Sequence, residues 1–357
     1  MPWDLLVNRS DLADTAVREH DPLELAAGEA LLRTDRVGVT ANNVTYALFG
    51  DAMHYWDFFP TGEPAWGKVP LWGFAEVAES RNDELAAGTR VFGYLPTASH
   101  LVVQPGRFDD RGFRDLAPHR QQLPAPYNRI TTVAADPSYD AAFEDLQILF
   151  RPLFMTSFML ADFLTDNALF GATDVVISSA SSKTSYGTAQ LLHGAARRIG
   201  LTSKGNVDFT QSLGCYDVVL PYDEVAALPL VPSVYVDVAG DAQLRHDVHQ
   251  RLGDQLRHSA VVGAAHASNA PSMEGAKGLP GPRPAFFFAP DQMRKRNADW
   301  GPDGVEDGHA KAWAAFRPVV EGWVDVVVGQ GPQDLQRVWL EVLAGGTPPR
   351  VGHVVQL

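Results

Sequence analysis

The chain has 357 residues, a formal net charge of −14 and a sequence pI near 5.1. That balance argues against a nucleic-acid partner and against docking on an anionic membrane surface. With 45% hydrophobic and 20% charged residues it is too apolar for disorder and fits a soluble globular enzyme of two domains or one large one.

The opening MPWDLLVNRSDLADTA has no apolar signal core, and acidic and basic residues interrupt it early. Residues 29–103 predict short strands over EALLRTDRVGVT, VPLWGFAEVAES, TRVFGYLP and SHLVVQP, punctuated by Gly50, Gly62, Gly73, Gly88 and Pro96. The apolar run LQILFRPLFMTSFMLADFL (146–164) carries Arg151, Pro152 and Asp162, which makes it a poor membrane span. It predicts a buried helix, with Pro152 near the start, where a missing N–H costs little.

From about residue 141 helix and strand alternate. Helix 146–165, strand 174–179, helix 186–198, strands 199–203, 216–220 and 233–238, helix 242–256 and strand 258–263 follow the order of a doubly wound parallel sheet. The tail LQRVWLEVLAGGTPPRVGHVVQL predicts a helix, a tight turn and a last strand. The expected organisation is a β-rich domain over 1–145, a nucleotide-binding domain over 146–290, and a segment 291–357 returning to the first. Cys215 is the only cysteine, so neither an intrachain disulfide nor a cysteine-rich zinc site can form, which suits a reducing cytoplasm.

The stretch VVISSASSKTSYGTAQLL (175–192) is where a phosphate cradle is expected. A P-loop would need glycines at Ile177 and Ser182, and neither is there. A Rossmann turn needs a strand, a small-residue turn and a helix whose N-terminal amides face a pyrophosphate. Ser179, Ser182 and Ser185 stand three apart in place of the glycines, small enough for close approach but less permissive of positive φ. Lys183 adds a positive charge beside the helix start, with Thr184 next to it. A plain strand–helix connection without a ligand is the competing reading.

Several segments together resemble the medium-chain dehydrogenase/reductase superfamily, on its zinc-free quinone- and enoyl-reductase side. They are VGVTANNVTYALFG, TRVFGYLPTASHLVVQP, LGCYDVVLPYDEV, VYVDVAGD and LEVLAGGTPPRVGHVV, in the right order over roughly 29–103 and 145–357. TANNVTY, YWDFFP, WGFAEV, RPLFMTSF, SASSKTS and GLTSKGN resemble a branch catalogued only as a domain of unknown function. The resemblance implies an α/β chain made of a GroES-like β-rich domain plus a Rossmann doubly wound parallel sheet. It implies a nicotinamide dinucleotide as cofactor and no zinc. Where zinc-dependent members carry Gly-His-Glu this chain has Gly73-Phe74-Ala75, Asn43 stands near a ligand cysteine's place, and the four-cysteine lobe is missing. It also places Tyr222 against the adenosine phosphate and Thr156 near the nicotinamide.

The second Rossmann strand ends GLTSKGN, with Ser203 and Lys204 where an acid would read a ribose 2′-OH. A cation and a hydroxyl suit a 2′-phosphate, hence NADPH over NADH; a solvated lysine in a turn is the alternative. Gly240, Gly263 and His266 lie at or beyond strand ends, where open α/β sheets bind ligands.

For chemistry, Asn42 or Asn43 can hold a carboxamide or a substrate carbonyl, and Tyr46 or Tyr55 can protonate an enolate; ordinary aromatic packing is the alternative. HYWDFFP, with Trp56, suits an apolar pocket wall. His119, Arg120, Tyr127 and Arg129 can anchor an anionic or hydroxylated substrate, or else belong to a salt-bridged linker. His246 and His249, three apart on a helix, lack further ligands and suit a solvent face. A serine-hydrolase G-x-S-x-G motif is missing.

The leading expectation is an NADPH-dependent, zinc-free reductase delivering hydride to an activated C=C or C=O of an apolar, aromatic or polycyclic small molecule. The alternatives are a repurposed nucleotide site doing lyase or isomerase chemistry, and a non-catalytic small-molecule binder. The expected partner is a small molecule, with no nucleic acid and no membrane; a homodimer stays open.

Overall fold

Strand Ala30–Val39 buries Ala30, Leu32, Thr34, Val37 and Val39. The alternation slips by one where a register shift between Thr34 and Arg36 interrupts its pairing with Pro70–Ser80. An extra residue in one strand of a ladder turns the following side chains to the other face. The computed structural model describes residues 1–262, 278–301 and 303–357 and divides into two units, residues 1–149 with 324–357, and residues 150–323.

The first unit is built on a nine-stranded sheet. Its path runs Asp325–Gln330, Val351–Gln356, Ala30–Val39, Pro70–Ser80, Arg90–Pro96, Arg129–Thr132, Gly112–Asp115 and Pro105–Asp109, with His100–Val103 joined to Ala30–Val39. A three-stranded sheet of Trp3–Asn8, Thr15–Glu19 and Trp66–Gly67 accompanies it. Helix Gly331–Leu343 adds Leu335, Val338, Trp339 and Val342 to the same core.

The second unit carries a six-stranded parallel sheet in the order Val218–Pro221, Arg197–Thr202, Asp174–Ile177, Ser233–Asp237, Leu256–Val261, Ala285–Phe286. Val175, Val176 and Ile177 are fully buried, as central strands of a covered parallel sheet must be. The chain leaves Asp174–Ile177 toward one side of the sheet and later returns on the other. The serine turn therefore sits at the topological switch point, beyond the carboxyl ends of the strands.

Three sequence expectations change. Pro152 lies inside helix Glu144–Asp166, not near its start. There it removes the N–H that would reach the Ile148 carbonyl, a defect of roughly 3 kcal/mol in an isolated helix. Tertiary burial of Leu149, Phe150 and Phe154 around it holds the helix together. Residues Ala41–Leu48 form a helix within the β-rich region, capped by Thr40 and Asn43. The return to the first unit begins at Val324, so helices Ala289–Trp300 and Gly304–Val320 belong to the second unit. Region Ala141–Asp166 is long and apolar enough to cross a membrane by length and composition, and half of it is buried in the fold.

Candidate functional site

Ser179 carries the geometry of the serine turn. Its φ is +51°, the left-handed conformation that glycine adopts freely and serine rarely. The serine thus stands in for a glycine in backbone terms, contrary to the expectation that it would resist positive φ. Neighbouring hydroxyls hold it there. Ser178 Oγ accepts the amides of Val238 and Ala239, both at 3.0 Å, and Ser185 Oγ donates to the Ser178 carbonyl at 2.9 Å.

Ser182 is the N-cap of helix Lys183–Leu191, its hydroxyl accepting from the Ser185 amide and donating to Ser185 Oγ at 3.0 Å. Ser185 is fully buried and therefore structural, while Ser179 is 8% exposed and Ser182 half-buried. The amides of Lys183 and Thr184 open the helix and have no hydrogen-bond partner among the described residues, as first-turn amides often do not. On the helix's inner side Gly187 lets Ser157 approach: a Cβ there would lie 2.8 Å from Ser157 Oγ, which donates to the Thr184 carbonyl at 2.9 Å. Thr156, one residue earlier, is half-buried.

Lys183 Nζ lies 5.8 Å from the centre of the Phe150 ring, with no ion-pair or hydrogen-bond partner among the described residues. Burial of its ammonium lowers its pKa to about 8. Lys204, beside Ser203, is exposed and paired with Asp223 at 2.6 Å. That partner, unforeseen from sequence, occupies the cation meant for a 2′-phosphate. Tyr222 is adjacent to Asp223, and burial raises the pKa of its phenol. The turn is tied to its neighbours by the Ala180 amide, which donates to the Leu201 carbonyl at 2.9 Å, and by the Tyr216 phenol, which donates to the Ala180 carbonyl at 3.0 Å.

Gly240 does not offer a free amide, because its N–H is held by Asp237 Oδ1 at 2.9 Å. Asp237 is itself buried in an ion pair with Arg245 at 2.7 Å. Gly263 and His266 lie outside the described residues. His246 is exposed, but His249 is buried, bonded to Ser259 Oγ and the Pro280 carbonyl at 2.9 Å each, which corrects its placement on a solvent face. Among the described residues no group of three or more His, Cys, Asp or Glu side chains is placed to hold a metal ion.

The first unit holds the aromatic cluster. Tyr46, Tyr55, Phe58, Phe59, Trp72, Tyr94 and Tyr127 pack together, with Tyr46 4.7 Å from Tyr55 and Tyr94 4.7 Å from Tyr127 between ring centres. The structure brings Tyr46, Tyr55 and Tyr127 together, and adds Trp72 and Tyr94. Three other candidates are taken by the fold. Asn43 is 2% exposed, its oxygen accepting from Thr40 N and its amide donating to the Pro70 carbonyl at 2.9 Å. Trp56 is 1% exposed, clamped between Gly50 and Gly67, and shows no face to a ligand. Arg120 is buried against Asp115 at 2.8 Å and over the Phe58 and Phe59 rings. His119 is exposed, with Nε2 3.2 Å from the Phe58 carbonyl.

Solved structures share this fold, a β-rich unit and a six-stranded parallel sheet in one chain. CurA from Vibrio vulnificus in complex with NADPH is 14% identical, with a TM-score of 0.58 over 100% of this chain and 99% of that one. The yhdH oxidoreductase from Salmonella enterica in complex with NADP is 14% identical, with a TM-score of 0.54 over 100% of both chains. The quinone oxidoreductase from Coxiella burnetii is 12% identical, with a TM-score of 0.55 over 100% and 99%. No curated protein matches the sequence significantly. The family model described as "Protein of unknown function (DUF2855)" matches residues 37–348, and the chain belongs to that family.

Proposed function

We propose that this chain is an NADPH-dependent, zinc-free reductase that transfers hydride to an activated C=C or C=O of an apolar, aromatic or polycyclic small molecule. The observation that carries the reading is Ser179 at positive φ in the switch-point turn, followed by two helix amides with no partner among the described residues. Those amides, with Ser179, Ser182 and Lys183, fit a pyrophosphate; Ser203, Lys204 and Tyr222 fit the adenosine end, and Thr156 the nicotinamide end. The cofactor supplies hydride. The chain's part is to hold the dinucleotide, offer an aromatic wall for the substrate, and provide a proton from Tyr46 or Tyr55. The NADPH and NADP complexes among the similar folds support this choice of cofactor. A shift in NADPH fluorescence on mixing tests it; no change at high protein concentration leaves the repurposed-site reading, lyase or binder, in its place.

The Lys204–Asp223 pair gives a sharper expectation. Lys204→Ala weakens NADPH by roughly tenfold and leaves NADH nearly unchanged, as loss of one charge-assisted contact does. Asp223→Asn, which frees the lysine and removes a negative charge, tightens NADPH. Equal affinity of the parent for both nucleotides in parallel titrations sinks this assignment.

Lys183 sets the pH dependence. Its pKa in the free protein is about 8, and a phosphate beside it favours the ammonium and raises that value in the complex. Binding therefore takes up a proton at and above pH 8. Affinity is fully present below this pH and falls as pH rises through it, by at most about tenfold per unit. A flat profile from pH 7 to 9 in the parent overturns this contact, and Lys183→Met makes the flat comparison.

A further inference from the structure

Strand Asp325–Gln330 closes one end of the nine-stranded sheet, with Val351–Gln356 on one side and no strand on the other among the described residues. Its sequence, DVVVGQ, is the wrong kind for a bare edge. Val327 is 43% and Val328 49% exposed, and the strand carries neither proline nor lysine. Edges that stay single are usually blunted by prolines, charges or bulges. The opposite end of the same sheet has those devices: Pro105–Asp109 begins on a proline, carries Arg107 and Asp109, and pairs with Gly112–Asp115 in a broken register. Thr15–Glu19, an end strand of the small sheet, carries Arg18 and Glu19.

The ladder decides which backbone groups the bare edge offers. The Asp325 amide donates to the Arg350 carbonyl at 2.8 Å, so Asp325, Val327 and Gly329 spend their groups on Val351–Gln356. Val326 and Val328 turn theirs outward, where no other segment meets them among the described residues. Gln330 ends the run, because its amide is taken by Asp334 Oδ2 at 2.8 Å.

We propose that this edge is an interface between two copies of the chain, paired antiparallel about a two-fold axis through Val327. In an antiparallel pair, outward-turned residues stand opposite outward-turned ones. Centring the axis on Val327 sets Val326 against the second copy's Val328 and Val328 against its Val326, so every outward N–H and C=O of both valines is used. Val327 then meets its own copy side by side, and Asp325 falls opposite Gly329, which has no side chain to crowd it. No like charges face each other, since Asp325 is the strand's only charge and Arg350 of its own chain holds it at 2.8 Å. Centring on Val328 would instead set Val326 against Gln330, whose amide is already spent. A strand pair of this length falls below the roughly 1,200 Å² of a standard interface, so the dimer is weak and depends on concentration. The contact needs no nucleotide and is independent of the reductase reading.

Sedimentation velocity on the full chain, from micromolar to millimolar concentration, tests the interface. The parent shows a monomer–dimer equilibrium. Val327→Lys sets two ammonium groups face to face and weakens dimerisation by at least about tenfold. Val328→Pro removes an outward N–H that the chain's own ladder does not use, so the fold is kept while the dimer weakens as well. A parent that stays monomeric throughout overturns the proposal, and so does a dimer that both substitutions leave unchanged.

Cross-linking tests the register separately, and Cys215, the only native thiol, is buried. Val327→Cys joins two chains on mild oxidation, because directly facing residues of an antiparallel pair stand within disulfide reach. Asp325→Cys, remote from its own copy, does not. Equal cross-linking from both positions overturns the register.

Discussion

Ser182→Val abolishes NADPH binding while the second unit keeps its fold, and Ser182→Gly binds nearly as well as the parent. Ser182 caps helix Lys183–Leu191, and its carbonyl already accepts the Tyr186 amide at 3.0 Å. Valine cannot accept from the Ser185 amide, which costs about 1 kcal/mol of cap. Glycine costs only a few tenths of a kcal/mol at such a position. Against a domain stability of roughly 5–15 kcal/mol neither change unfolds the sheet. Binding responds differently, because the valine methyls stand where a phosphate must approach the Lys183 and Thr184 amides. NADPH fluorescence titration beside a thermal melt separates the two effects, and retained affinity in Ser182→Val sinks the cradle.

Trp56→Ala lowers the stability of the first unit by roughly 3–5 kcal/mol, the usual cost of emptying a core position of this size. The side chain is 1% exposed and part of the main core with Leu5, Val7, Val69 and Trp339. A methyl added at either Gly50 or Gly67 would overlap the indole, and the Arg9 guanidinium lies 5.6 Å over it. Such a loss moves the melting temperature down by roughly 10 °C in a domain of this size. Melting by circular dichroism with NADPH titration alongside checks it. Unchanged melting with weakened substrate binding would return Trp56 to the pocket wall.

How far the sequence led differs between the units. The second unit was legible because parallel strands are continuous apolar runs such as Val175-Val176-Ile177, and the helices between them carry capping and glycine signals. The first unit hid its one helix near the site, since NNVTY contains β-branched and cap-forming residues that suit a strand or a turn. The signal that would have found it is Thr40 three residues before Asn43, the spacing of a capping box.

Side-chain roles were the least legible. Asn43, Trp56 and Arg120 are the residue types a binding site would use, and each is spent inside the fold on partners distant in sequence: Pro70, Gly67 and Phe58. Asp223 escaped notice because a surface ion pair has no local signature. His249 escaped because its partners, Ser259 and Pro280, follow it on other elements.

Strand Val351–Gln356 lies between Asp325–Gln330 and Ala30–Val39 in the large sheet. During synthesis, residues 36–39 therefore wait for their neighbour on that side, made more than three hundred residues later, while residues 30–33 already have His100–Val103. At roughly 5–20 residues per second that wait lasts tens of seconds. The second unit, continuous from 150 to 323, has all its described strands in hand before then. On the ribosome the nucleotide sheet can close first, while the earlier-made half stays an open edge that invites pairing with foreign strands. Chaperone dependence in a heterologous host, and loss of soluble protein when strand Val351–Gln356 is disrupted, are the costs of a closing strand made so long after its partner.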